Sequence, residues 1–177
     1  EAKTYDGKAL TNDTITVGGD GFADGEGATY NVTGTQTEVG SSANAFTYTL
    51  NDGTKADNYE ISKTEGTLTV TALTDKVTVT ITENSGSEKY DGTEKTVTGY
   101  TVSIDNELYT EADFTFSGTA AAARTDAGTT NMGLAASQFT NQNPNFGTVT
   151  FNVTDGYQTV SPINATVTIV GANNTTT

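Results

Sequence analysis

The sequence predicts an all-β protein, with at most one short helix, built as two tandem small domains of immunoglobulin-like or β-grasp-like form. Three observations predict it. Threonine alternates with β-branched or aromatic residues in many short runs. Glycine and Asp/Asn-Gly pairs separate those runs. The same ordered set of landmarks occurs twice in the 177 residues. Alternation with a period of two puts one residue set on a buried sheet face and the other in water. Threonine on the wet face keeps strand propensity without adding apolar surface. Leu, Ile, Val and Phe together make up less than one-fifth of the chain, a level that suggests disorder at a net charge of −14. Their regular placement, with eight tyrosines as further core material, argues for folding instead.

The first copy opens at Tyr5-Asp6-Gly7 in "KTYDG". Tyrosine can bury its ring and keep its hydroxyl wet. Asp starts a turn by accepting nearby backbone N–H groups, and Gly permits the turn. A strand is expected at "TITV" (residues 14–17), followed by "ATYNVTG" ending at Gly34, then Glu38-Val39-Gly40, then "FTYTL" (46–50). The copy closes on "NYEISKTEGTLTVT" (58–71), which reads as a hairpin turning at Thr64-Glu65-Gly66.

After the short link "ALTD" (72–75), "KVTVTIT" (76–82) places Val77, Val79 and Ile81 on one strand face. The second copy then repeats the order. Tyr90-Asp91-Gly92 is followed by "YTVSI" (100–104), "DFTFSG" ending at Gly118, and Asp126-Ala127-Gly128. In "NMGLAASQF" (131–139) the alternation lapses, so the strand is expected to run through Met132 and pass into about a turn of helix. A second hairpin is expected over 145–160, turning at Thr154-Asp155-Gly156. Last, "NATVTIVG" (164–171) has the pattern of the strand at 76–82. The expected partition is residues 1–73, a first unit lacking its leading strand; 74–162, a second unit; and 163–177, the leading strand of a further unit or a tail. Such a register is expected of a segment cut from a longer tandem array.

The landmarks Tyr5-Asp6-Gly7, Tyr90-Asp91-Gly92, Glu38-Val39-Gly40 and Asp126-Ala127-Gly128, with the closing patterns, resemble the YDG/MBG-type repeats of Gram-positive bacterial surface adhesins. The resemblance covers nearly the whole chain. It implies extracellular β modules strung into cell-wall-anchored stalks, with neighbouring repeats of the same chain as partners.

The 22 acidic against 8 basic residues repel nucleic-acid phosphates and anionic membrane surfaces, and no apolar run is long enough to span a bilayer. With no His and no Cys, the usual triads, thiolates and Cys/His zinc sites are unavailable, and no enzyme activity is expected. Calcium is the one cofactor considered: "DGFADGE" concentrates Asp20, Asp24 and Glu26 in a glycine-rich loop, although Phe22 breaks the EF-hand spacing. Lys76 and Asn152 are a conceivable isopeptide pair, which requires adjacent strands and a buried acid. The function expected is a non-enzymatic stalk or spacer. The alternative is a module that binds a host glycan, such as mucin, or a host protein through exposed tyrosines.

Overall fold

A computed structural model describes residues 1–171. The described chain is all-β, interrupted only by single 3₁₀ turns at Ala56–Asn58, Glu111–Asp113 and Ala136–Gln138. The third falls in the segment where alternation lapses. It is a 3₁₀ turn because Phe139 resumes extended backbone immediately after it. No described helix is long and apolar enough to cross a membrane.

The first copy forms β1 (Ala2–Thr4), β2 (Ala28–Val32), β3 (Gly40–Asn44), β4 (Phe46–Leu50) and β5 (Gly66–Thr71). β5 is the centre of a three-stranded sheet, parallel to β1 and antiparallel to β3. Its inward residues Leu68 and Val70 are buried with Leu10, and the Tyr5 ring covers them. β2 and β4 pair antiparallel from Ala28–Leu50 to Val32–Phe46.

The second copy forms β6 (Val77–Glu83), β7 (Gly86–Lys89), β8 (Lys95–Thr98), β9 (Tyr100–Ile104), β10 (Phe114–Phe116), β11 (Ala121–Arg124), β12 (Gly128–Asn131), β13 (Phe139–Asn141), β14 (Val149–Thr154) and β15 (Tyr157–Ser161). β15 is the centre of a sheet ordered β12-β15-β7, and β6 is the centre of another ordered β14-β6-β9. β6 follows the sequence pattern: Val77, Val79 and Ile81 are fully buried.

The internal repeat is visible in backbone pairing. Thr69 of β5 lies opposite Ala2 and Ser41; Thr159 of β15 lies opposite Ser87 and Thr129. The hydroxyl pairs Ser41–Thr69 and Thr129–Thr159 are both 2.9 Å apart. The glycine that starts β3 has φ +142° and the one that starts β12 has φ +137°, a region closed to ordinary side chains. Each tyrosine turn is tied to the final strand of its copy: Tyr5 N–H donates to Thr71 O (2.8 Å) and Tyr90 N–H to Ser161 O (2.9 Å).

Four expected elements differ. Residues 14–17 are not a strand, and neither is 58–65, so the first hairpin is absent. In the second copy both strands of the expected hairpin form, but β14 and β15 belong to different sheets. Residues 164–171 are not a strand. One physical cause links three of these cases. A strand needs hydrogen-bond partners for its backbone. β9 and β14 find theirs in β6. Residues 14–17 and 60–64, their counterparts, have no such central strand among the described residues. For 164–171, likewise, no pairing strand is described.

By compactness the chain divides into a first unit, Glu1–Thr78 with Asp105–Phe114 and Asn141–Thr150, and a second, Val79–Ile104 with Thr115–Thr140 and the chain from Phe151. These units interleave in sequence, whereas the expected partition at residue 73 is contiguous. Residues 105–114 and 141–150 fall in the first unit because their side chains and backbone pack with the first tyrosine turn and with Leu73. The expected third segment, 163–177, is described only as far as residue 171.

Candidate functional site

The first tyrosine turn is held by Asp6. Its carboxylate accepts the Lys8 N–H (3.0 Å) and the Lys3 ammonium (2.6 Å), and the lysine hydrogen bond holds the Asp6 carboxyl below its usual range. Gly7 takes φ +74°, and a Cβ there would sit 3.0 Å from the Leu108 side chain. The turn aims the Tyr5 ring edge-on at Phe146, centroids 5.6 Å apart at 74°. Phe146 is 2% exposed and is met from another side by Tyr109 (5.0 Å, 89°). Burial, then the charges of Glu38 and Asp113, push the Tyr5 hydroxyl up. Burial also pushes Tyr109 up, to about 12, aided by Asp113.

Glu38-Val39-Gly40 is the second half of this site. Asn145, 3% exposed, accepts the Val39 N–H on Oδ1 (2.8 Å) and donates from Nδ2 to the Glu38 carboxylate. Leu73 completes it through the backbone: its N–H donates to Asn145 O (2.8 Å) and its carbonyl accepts from Gly147 N–H (2.9 Å). Inside the first unit, then, the tyrosine turn, the Glu-Val-Gly turn and Leu73 form a receptor for one Asn145-Phe146 step. The sequence marks the tyrosine turn, Glu38-Val39-Gly40 and the closing Asn145-Phe146 segment as repeat landmarks, places Leu73 only in the link between copies, and does not show that these parts grip one another. Only the pairing of buried amide and carboxylate reveals that.

The second tyrosine turn has the same internal chemistry. Asp91 accepts the Thr93 N–H (2.9 Å), the Thr93 hydroxyl (2.7 Å) and the Lys95 ammonium (2.6 Å), which hold it far below the usual carboxylate range. Gly92 takes φ +81°. Its surroundings differ. Tyr90 is 37% exposed and makes no ring contact among the described residues. Asp126 and Ala127 are exposed too, and Ile163, at the position of Leu73, is 56% exposed. The parts of the receptor are present in the second copy, but no Asn-aromatic step among the described residues fills them.

A groove of about 750 Å³ opens in the first unit, lined by residues 15–22, by 58–64 and by Ala28, Tyr30, Phe46 and Tyr48 of β2 and β4. Ile15, Val17, Phe22, Tyr59 and Ile61 contribute its apolar lining. Tyr59 meets Phe22 edge-on at 5.0 Å and bonds through its hydroxyl to the Glu26 carboxylate and the Ala23 N–H.

That last contact bears on calcium. Glu26 is engaged with Tyr59, Asp20 and Asp24 are exposed, and no group of three or more acidic side chains is placed to hold a metal ion among the described residues. Lys76 and Asn152 are each exposed, so neither has the buried setting that an isopeptide bond requires. Among the described residues the one deeply buried acid is Glu83 in the second unit, 5% exposed, whose Oε2 accepts the Gly156 N–H at 2.8 Å. Burial pushes its carboxyl up, and Asp155 adds to the rise. That carboxylate braces a chain reversal.

No family model, curated protein or solved structure matches the chain.

Proposed function

We propose that the protein is a non-enzymatic repeat module, a stalk or spacer segment of an extracellular, cell-wall-anchored bacterial adhesin, whose partners are neighbouring repeats. One observation supports the reading most strongly. The receptor for an Asn-aromatic step occurs twice, filled at Tyr5 and Glu38-Val39-Gly40 and open at Tyr90 and Asp126-Ala127-Gly128. A contact that recurs in every copy lets identical modules be added in series, each joined to the next by the same chemistry. The acidic, threonine-rich surface keeps such modules apart elsewhere.

The test is a genetic fusion of two full chains in tandem, compared with the single chain by small-angle X-ray scattering. A spacer lengthens: the maximum dimension of the fusion should approach twice that of the single chain. A fusion that folds back to a similar dimension would count against the reading. So would saturable mucin-glycan binding by the single chain that is lost on Tyr48→Ala or Tyr157→Ala, since these tyrosines are among the exposed ones.

A further inference from the structure

We propose that the groove of the first unit takes up residues 164–171 of a second copy of this chain as an added β-strand, joining copies head to tail. The chain carries its own template for this occupant. In the second copy, β6 lies between β9 and β14, with Val77, Val79 and Ile81 at 0% exposure. Its pairing with β9 runs from Val79 opposite Ile104 to Glu83 opposite Tyr100. The counterparts of β9 and β14 in the first copy are residues 14–17 and 60–64. Both line the same open groove, and neither has strand pairing among the described residues.

Residues 160–171 align without a gap on 70–81. Ile163 falls on Leu73, Val167 on Val77 and Ile169 on Val79. Val77 and Val79 are fully buried, whereas Val167 and Ile169 are 86% and 91% exposed; Leu73 is half-buried and Ile163 56% exposed; Val170, on Thr80, is 88% exposed, and Gly171 falls on Ile81. A run of this alternation left in water is half of an unfinished sheet. The segment also carries no charged residue from 162 to 171, so the net charge of −14 does not oppose its entry.

Strand addition supplies what is missing among the described residues: a strand partner for residues 14–17 and 60–64, and cover for Val167 and Ile169. Groove and tail are different patches of one chain. The contact is therefore heterologous, and it propagates into open-ended chains instead of closing as a symmetric dimer. The inference does not depend on the stalk reading, because a ligand-binding module with the same groove would join in the same way.

Sedimentation equilibrium on three versions of the 177-residue chain tests it. The wild type should rise above the 18.4 kDa chain mass as concentration increases. A tail-blocked chain, Val167→Asp with Ile169→Asp, should stay monomeric. So should a groove-blocked chain, Ile15→Asp with Ile61→Asp. An equimolar mixture of the two should stop at twice the chain mass, since one free tail meets one free groove. A wild type that stays monomeric would overturn the proposal, as would self-association of either blocked chain or a mixture that remains monomeric. All four positions are partly or fully exposed, and unchanged circular dichroism checks that each variant folds. A second measurement adds a synthetic peptide of residues 164–171 to the tail-blocked chain and follows amide hydrogen exchange. Protection should appear at residues 14–17 and 60–64. No protection, or equal protection by a scrambled peptide, would also overturn the proposal.

Discussion

The edge-on pair of Tyr5 and Phe146 permits a measurement of what the first tyrosine turn contributes. Replacing Phe146 by Leu keeps most of the buried volume but removes the ring that Tyr5 and Tyr109 both meet. Its cost should be about 1–2 kcal/mol, above that of a volume-conserving swap and below that of a Phe→Ala cavity. Tyr5→Leu should cost a similar amount, because it keeps an apolar cover over Leu68 and Val70 and loses the ring edge. If the two rings stabilise each other as oriented aromatic pairs do, the double variant loses less than the sum by about 0.5–1.5 kcal/mol. The Tyr109 contact is lost in both legs of the cycle that carry Phe146→Leu, so it cancels. Urea unfolding of the full chain and the three variants, followed by tyrosine fluorescence and far-ultraviolet circular dichroism, reads the coupling directly. Strict additivity, with a coupling under about 0.3 kcal/mol, refutes the idea that the turn exists to present its ring to Phe146. Tyr90 supplies the control. It sits on the same kind of turn with no ring partner among the described residues, so Tyr90→Leu should cost less than Tyr5→Leu by the aromatic increment.

Four further outcomes are expected. Asn145→Asp puts a second carboxylate beside Glu38 and removes the amide donor, so the first unit should lose about 1–3 kcal/mol at neutral pH and recover part of it in acid; a variant of wild-type stability at pH 7 contradicts the buried amide's role. Tyr109→Phe should delete the last-titrating phase, near pH 12, from an alkaline absorbance titration of the eight tyrosines, and survival of that phase shows that it belongs to another residue. Glu83 has a raised carboxyl in the fold, so between the ordinary 4.5 and that raised value the folded chain holds the extra proton and stability falls as pH rises. Glu83→Gln should therefore flatten the melting temperature over that window and raise it at pH 7; an unchanged pH profile would reject the assignment. Gly156→Ala would drive a Cβ to 2.2 Å from Asn84 O and 2.7 Å from Glu83 Cβ, and should cost about 1–3 kcal/mol, whereas a melting temperature equal to wild type would mean that the corner relaxes freely.

The strand at 77–83 was legible because its two faces differ in chemistry at every step, and Val77, Val79 and Ile81 are indeed the residues withdrawn from water. The turn of helix expected after Met132 was legible only as a lapse in alternation over 131–139, because a single 3₁₀ turn has no periodicity of its own. Calcium was suggested by the concentration of Asp20, Asp24 and Glu26 in one glycine-rich loop, and that pattern does not say which way a carboxylate points. Glu26 is engaged with the Tyr59 hydroxyl.

By itself, then, the sequence determined the all-β class, the repeated order of landmarks and the local form of each Asp-Gly turn, since these depend on side-chain period and on contacts a few residues apart. Tertiary structure alone decided which equally patterned segments become strands. Residues 14–17 and 164–171 alternate much as β9 and β6 do, yet β9 and β6, with β14, form a sheet and they do not; residues 60–64 carry one apolar residue, Ile61, against Val149, Phe151 and Val153 in β14. A strand's backbone hydrogen bonds lie outside its own segment, so whether it forms depends on what lies beside it.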